Sequence, residues 1–187
     1  MSRIGIYGGS FNPPHMGHLS VVMAALASDG FDEIRIVPCF HHAFAKDREL
    51  IPFEHRMEMC RLAFNQWTNV YVSDMSRRIK NRYSIDLAQA LKEMYPDDQI
   101  IFIVGSDVYA ERTQWRDIEF LEQLVSFRVF ERFHNTVPHP LMMSSSWIRK
   151  QLQAADYQAP LMQSMPMKVW SYILQEKLYP PKTISKG

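Results

Sequence analysis

The sequence predicts an α/β protein built on an open parallel sheet flanked by helices. Short β-favouring runs alternate along the chain with stretches of helical apolar spacing, the pattern of repeated strand and helix units. The run Gln-Ile-Ile-Phe-Ile-Val-Gly at 99–105 is apolar without alternation, as expected of a central strand buried on both faces. Gly8-Gly9 directly follows the first strand and precedes a turn and a helix. Such sheets bind ligands there, beyond the carboxyl ends of their strands.

Residues 3–7 form the first strand, stopped by Gly8-Gly9 ahead of Asn12-Pro13-Pro14. Over 17–28, Leu19, Val22, Met23 and Leu26 recur at helical spacing until Asp29-Gly30. Residues 33–38 alternate like a strand, and 52–64 place Met57, Cys60, Leu62 and Ala63 on a helical face with Pro52 at its start. A short strand follows at 70–73, then a helix at 84–95 with Ser84 as its expected N-cap. After the central strand come a helical stretch at 115–124, a fifth strand at 126–131, and helices at 145–154 and 168–176. No internal repeat or linker interrupts the order, so 1–187 reads as one domain, with 180–187 as a flexible tail.

The 187 residues suffice to bury a continuous core, and 47% hydrophobic with 22% charged residues exclude a disordered chain. Lys and Arg number 21 against 20 Asp and Glu, a net charge of +1. No global field therefore favours nucleic acid or an anionic membrane, and any bound anion must be held locally. The two cysteines, Cys39 and Cys60, are too few for a disulfide framework. Glycines break the N-terminal apolar stretch too early for a signal peptide, and no run approaches the roughly 20 apolar residues of a membrane helix. A cytoplasmic protein is expected, and homo-oligomerisation is left open.

The sharpest segment is Gly8-Gly9-Ser10-Phe11-Asn12-Pro13-Pro14-His15-Met16-Gly17-His18. Glycines after a strand let backbone approach a phosphate, and the next helix aims free N–H groups and its positive dipole end at the same place. His15 and His18 lie three apart across the first helical turn, where imidazole N–H groups can donate to phosphoryl oxygens. This stretch resembles the (H/T)xGH signature of the nucleotidyltransferase superfamily, and its fuller form is similar to that of nicotinate and nicotinamide mononucleotide adenylyltransferases. The resemblance implies a Rossmann-like fold of nucleotidyltransferase type. It also implies transfer of AMP from ATP to a pyridine mononucleotide, with pyrophosphate released and magnesium as cofactor.

A second segment, Ser144-Ser145-Ser146-Trp147-Ile148-Arg149, resembles the family's ISSTxIR element, with Met143 in the Ile place. Hydroxyls at a helix N-terminus with an Arg one turn on make an anion site. Gly105-Ser106-Asp107 is similar to the family's GxD element, which implies that Gly105 and Asp107 lie beside nucleotide sugars. Thr113-Gln114-Trp115 resembles a TW element whose Trp stacks on the pyridine, and Tyr83-Ser84-Ile85-Asp86 resembles YTxDT at a helix start that holds the pyridine substituent. Lys46, ahead of Glu54-His55-Arg56-Met57, resembles the family's loop lysine before an HRxxM helix. The loop His41-His42 departs from the family's PPHK-like segment, and no third ligand is spaced to make it a metal site.

On this resemblance His15, His18 and Arg149 are the expected catalytic groups. Gly8, Gly9, Ser10, Phe11, Lys46, Ser145, Ser146 and Ile148 would bind ATP and its phosphates, Gly105 and Asp107 ribose, and Tyr83, Ser84 and Trp115 the pyridine mononucleotide. No protein cage for magnesium is expected. A different phosphorylated acceptor, such as phosphopantetheine, and a non-catalytic nucleotide sensor are the competing readings, and nicotinate against nicotinamide is not decided by spacing.

Overall fold

The structure, a computed structural model, describes residues 1–28, 30–41, 50–130 and 144–181. Lys46, His42, Glu131, Met143 and the end of the tail from 182 lie outside the described residues.

One sheet holds five parallel strands: β1 (Arg3–Gly9), β2 (Glu33–Pro38), β3 (Val70–Val72), β4 (Gln99–Gly105) and β5 (Ser126–Phe130). Their order is β3-β2-β1-β4-β5, so the order reverses between β1 and β4. The long helices are α1 (Met16–Ala27), α2 (Phe53–Phe64), α4 (Ser84–Met94), α6 (Ile118–Leu124), α7 (Ser145–Gln153) and α9 (Met167–Gln175). Shorter ones are α3 (Met75–Ile79), α5 (Ser106–Ala110) and α8 (Ala159–Gln163), with a 3-10 turn at Arg112–Gln114. This is the Rossmann-like arrangement expected. Among the described residues no helix is long and apolar enough to cross a membrane.

Alternation along the strands feeds a core on each face. Ile4, Ile6, Ile100 and Phe102 pack with Ile85, Leu87 and Leu91 of α4 and Leu121 of α6. Tyr7, Ile34, Ile36 and Ile103 pack on the other face with Leu19 and Val22 of α1, Met59 and Phe64 of α2, Ile148 and Leu152 of α7, and Val169 and Ile173 of α9. Packing is close at Gly5, where a Cβ would lie 2.8 Å from Ile103 Cδ1 and 2.9 Å from the Phe31 ring, so both side chains would have to shift.

Several local expectations are corrected. β1 does not stop at Gly8 but runs to Gly9, because Gly8 pairs with Val37 and Gly9 with Pro38 of β2. Ser84 is the first helical residue of α4 and not its cap. Tyr83 is the N-cap, and its N–H donates to the Asp86 carboxylate at 3.1 Å. Trp115 precedes a helix that begins only at Ile118. The short helices α3, α5 and α8 have five residues each, too few for a 3.6-residue period to declare itself.

Candidate active site

The loop after β1 lies where the strand order reverses, the place at which open α/β sheets bind ligands. A Cβ on Gly8 would meet nothing within 4 Å, so this strand end faces open space. On Gly9 it would lie 3.2 Å from the Phe11 ring. Phe11 is fully buried, edge-on to Tyr7 at 5.6 Å and Phe64 at 6.1 Å, with its backbone at φ 45°. A left-handed non-glycine residue is costly. Here the buried ring anchors the turn, and only the Phe11 backbone is left to face a ligand.

His15 is the N-cap of α1, and the two imidazoles stack with centroids 3.8 Å apart. The His15 N–H donates to His18 Nδ1 at 3.1 Å. An imidazole accepting at Nδ1 carries its proton on Nε2, so this bond makes His18 Nε2 a donor. Both rings are buried, and His18 also rests 4.9 Å from the Phe11 ring.

The serine segment docks directly on this loop. Ser144 caps α7 by accepting from the Trp147 N–H at 3.2 Å, which leaves the next two hydroxyls for other work. Ser145 Oγ donates to the Pro13 carbonyl at 2.8 Å, and Arg149 Nη1 donates to the Asn12 carbonyl at 2.9 Å. Arg149 Nη2 reaches Ser146 Oγ at 3.4 Å, and Ser146 is exposed. Ile148 is fully buried, and its N–H is used within the helix on Ser144 O at 3.0 Å. Its side chain packs into the core with Leu152.

On the other face of the sheet, a cavity of about 510 Å³ opens beside Gly8, Gly9 and Ser10. Its apolar floor includes Ile6, Val37 and Phe102, and its walls include Tyr83, Ser84 and Trp115. Pockets of this size suit small organic ligands. Arg116 also lines it, with its guanidinium 4.9 Å over the Tyr83 ring. The cavity thus gathers Gly8, Gly9, Ser10, Tyr83, Ser84 and Trp115. His15 and His18 at the start of α1, and Ser145, Ser146 and Arg149 at the start of α7, lie outside that lining, with Ser145 and Arg149 bonded to the Pro13 and Asn12 carbonyls of the loop that leads to the histidines. Gly105 is the buried N-cap of α5, and Asp107 is exposed in its first turn, beside the cavity-lining Val104 and Val108. Among the described residues no group of three or more His, Cys, Asp or Glu could hold a metal ion.

A model of the cytidylyltransferase-like family matches residues 6–151. The nicotinate-nucleotide adenylyltransferase of Bacillus subtilis (strain 168) is 32% identical over 191 residues, covering 96% of this chain and 99% of its own. This chain belongs to the nicotinate-nucleotide adenylyltransferase family. Two solved structures of a Plasmodium falciparum nicotinic acid mononucleotide adenylyltransferase share the fold at 21% identity. The one complexed with NaAD has a TM-score of 0.77, covering 97% of this chain and 99% of that one. The one complexed with APC has a TM-score of 0.75 with the same coverage.

Within this nicotinate-nucleotide adenylyltransferase family chain, three further residues, Arg56, Asn12 and Tyr179, hold the loop in place. Arg56, 1% exposed, donates from Nη1 to Ser10 O at 3.0 Å and from Nε to Ile51 O at 3.1 Å. Asn12 Oδ1 accepts from the Ile51 N–H at 3.4 Å and from the Tyr179 hydroxyl at 2.8 Å. Burial pushes the Tyr179 phenol well above its ordinary range, which keeps it a donor. The signal in the sequence was thin: a buried Arg reads like any helical Arg, and Tyr179 is 167 residues from its partner.

Proposed function

We propose that the chain transfers AMP from ATP to nicotinate mononucleotide, giving the nicotinate adenine dinucleotide and pyrophosphate in NAD biosynthesis. The observation that carries this reading is the docking of the serine segment on the histidine loop next to an apolar cavity walled by Trp115. The polar groups at the start of α7 and the cavity thereby adjoin the same loop. The names of the relatives support nicotinate as the pyridine substrate.

In the reaction the 5′-phosphate of the mononucleotide attacks the α-phosphorus of ATP in line with the departing pyrophosphate. The nucleophile is anionic near neutral pH, so no general base is needed, and catalysis rests on positioning and charge stabilisation. We assign His15 and His18 to donation onto the reacting phosphates, and the backbone of Gly9, Ser10 and Phe11 to their cradle. Arg149, the Ser146 hydroxyl and the Ser145 N–H at the start of α7 receive the leaving pyrophosphate, with Lys46 as a further cation. Gly105 and Asp107 face ribose, and Trp115 stacks on the pyridine between Tyr83 and Ser84. Magnesium, implied by the family resemblance, would arrive with the triphosphate. When bound, the ion neutralises charge on the triphosphate. The chain is read as one domain working in the cytoplasm, in keeping with its two free cysteines.

Pyrophosphate release from ATP and magnesium, measured with nicotinate and nicotinamide mononucleotide side by side, tests the reading. Turnover with nicotinate mononucleotide supports it, and silence with both while ATP still binds overturns it.

A further inference from the structure

Resting on the proposed adenylyl transfer, we infer that Tyr179 is a positioning residue for the reaction, acting through Asn12 on the seat of the Arg149 guanidinium. The geometry is continuous. The Tyr179 hydroxyl donates to Asn12 Oδ1 at 2.8 Å, and the carbonyl of the same Asn12 accepts from Arg149 Nη1 at 2.9 Å. Tyr179 is 4% and Asn12 1% exposed, so loss of the phenol takes a hydrogen-bond donor from a buried acceptor. Tyr179 itself has φ 56°, a left-handed backbone that turns the chain after α9 and brings the ring inward.

Three segments thereby meet on one side chain. Asn12 belongs to the loop between β1 and α1, its second donor is the Ile51 N–H just ahead of α2, and Tyr179 follows α9. Without the phenol, Asn12 Oδ1 loses the shorter of these two bonds and keeps the longer one to Ile51, at 3.4 Å. The loss falls on the phosphate side of the site, since neither Tyr179 nor Asn12 lines the cavity beside Trp115. A charge-stabilising Arg whose seat wanders loses transition-state contact more than ground-state binding of the pyridine ring.

The test is a kinetic comparison of Tyr179→Phe, Asn12→Ala and the double variant, with thermal melts alongside. Phe keeps the buried ring and removes one hydroxyl. The expected result is a roughly three- to tenfold fall in kcat for Tyr179→Phe, the size of one hydrogen bond. KM for nicotinate mononucleotide should stay within about twofold, and the loss should be absent in the Asn12→Ala background. Should Tyr179→Phe fold poorly, Asn12→Ala alone must show the same split of kcat from KM. Unchanged kcat in Tyr179→Phe, additive losses in the double variant, or a matching rise in KM for the pyridine nucleotide overturns the inference. Silence of the wild-type protein with both mononucleotides instead fails the reading of the reaction and takes the inference with it.

Discussion

The Arg56 guanidinium lies beneath the glycine loop and donates to the Ser10 carbonyl at 3.0 Å, joining two segments 46 residues apart. The same side chain holds the Ile51 carbonyl at 3.1 Å, so one buried cation fixes both the phosphate-facing turn and the entry to α2. The loop is therefore braced through the Ser10 carbonyl by a buried cation.

Removing that brace should cost stability. Arg56→Met keeps most of the apolar volume and leaves two carbonyls without their donor. The expected loss is about 2 kcal/mol, read from urea unfolding midpoints. A midpoint equal to wild type would contradict the bracing role.

His18 should matter through its Nε2 proton. His18→Ala is expected to lower kcat by about 10²-fold or more, as loss of a transition-state donor does elsewhere. Circular dichroism should remain that of the wild type. Near-normal turnover would remove His18 from the proposed machinery.

Trp115 stands at the cavity wall with Phe127 5.9 Å behind it, a support that orients the indole. Trp115→Ala should raise KM for the pyridine mononucleotide by about tenfold, the size of one stacked ring, and leave KM for ATP within about twofold. Equal effects on both substrates would place the pyridine elsewhere.

Alkaline pH should weaken the fold. Burial raises the Cys60 thiol above its ordinary 9.0 and the Tyr179 phenol above its ordinary 10.0. Both groups stay protonated in the folded chain after the unfolded chain has released its protons, so stability falls as pH rises past the unfolded values. Urea midpoints should hold between about pH 7 and 8 and drop above about pH 9. A midpoint indifferent to pH over that range would contradict the burial of these groups.

The main strands and longer helices were readable because their signals are local. The unbroken apolar run at 99–105 became β4, and the alternation at 33–38 became β2, both with the expected bounds. Gly8-Gly9 looked like a stop because glycine disfavours strands in isolation, but pairing with β2 overrode that preference. In the site, the histidine and serine segments were visible as ordered motifs, whereas their mutual docking was not. Ser145 and Pro13 are 132 residues apart, and no periodicity links them. Asn12, Arg56 and Tyr179 escaped for a related reason. Their roles depend on burial and on partners supplied by three separate segments, which residue type alone does not encode.

Adenylyl transfer to nicotinate mononucleotide is tested most directly by pyrophosphate release with the two mononucleotides in parallel. Magnesium-dependent release from ATP is expected with nicotinate mononucleotide, faster than with nicotinamide mononucleotide. Release with neither, from a protein that still binds ATP, would contradict it.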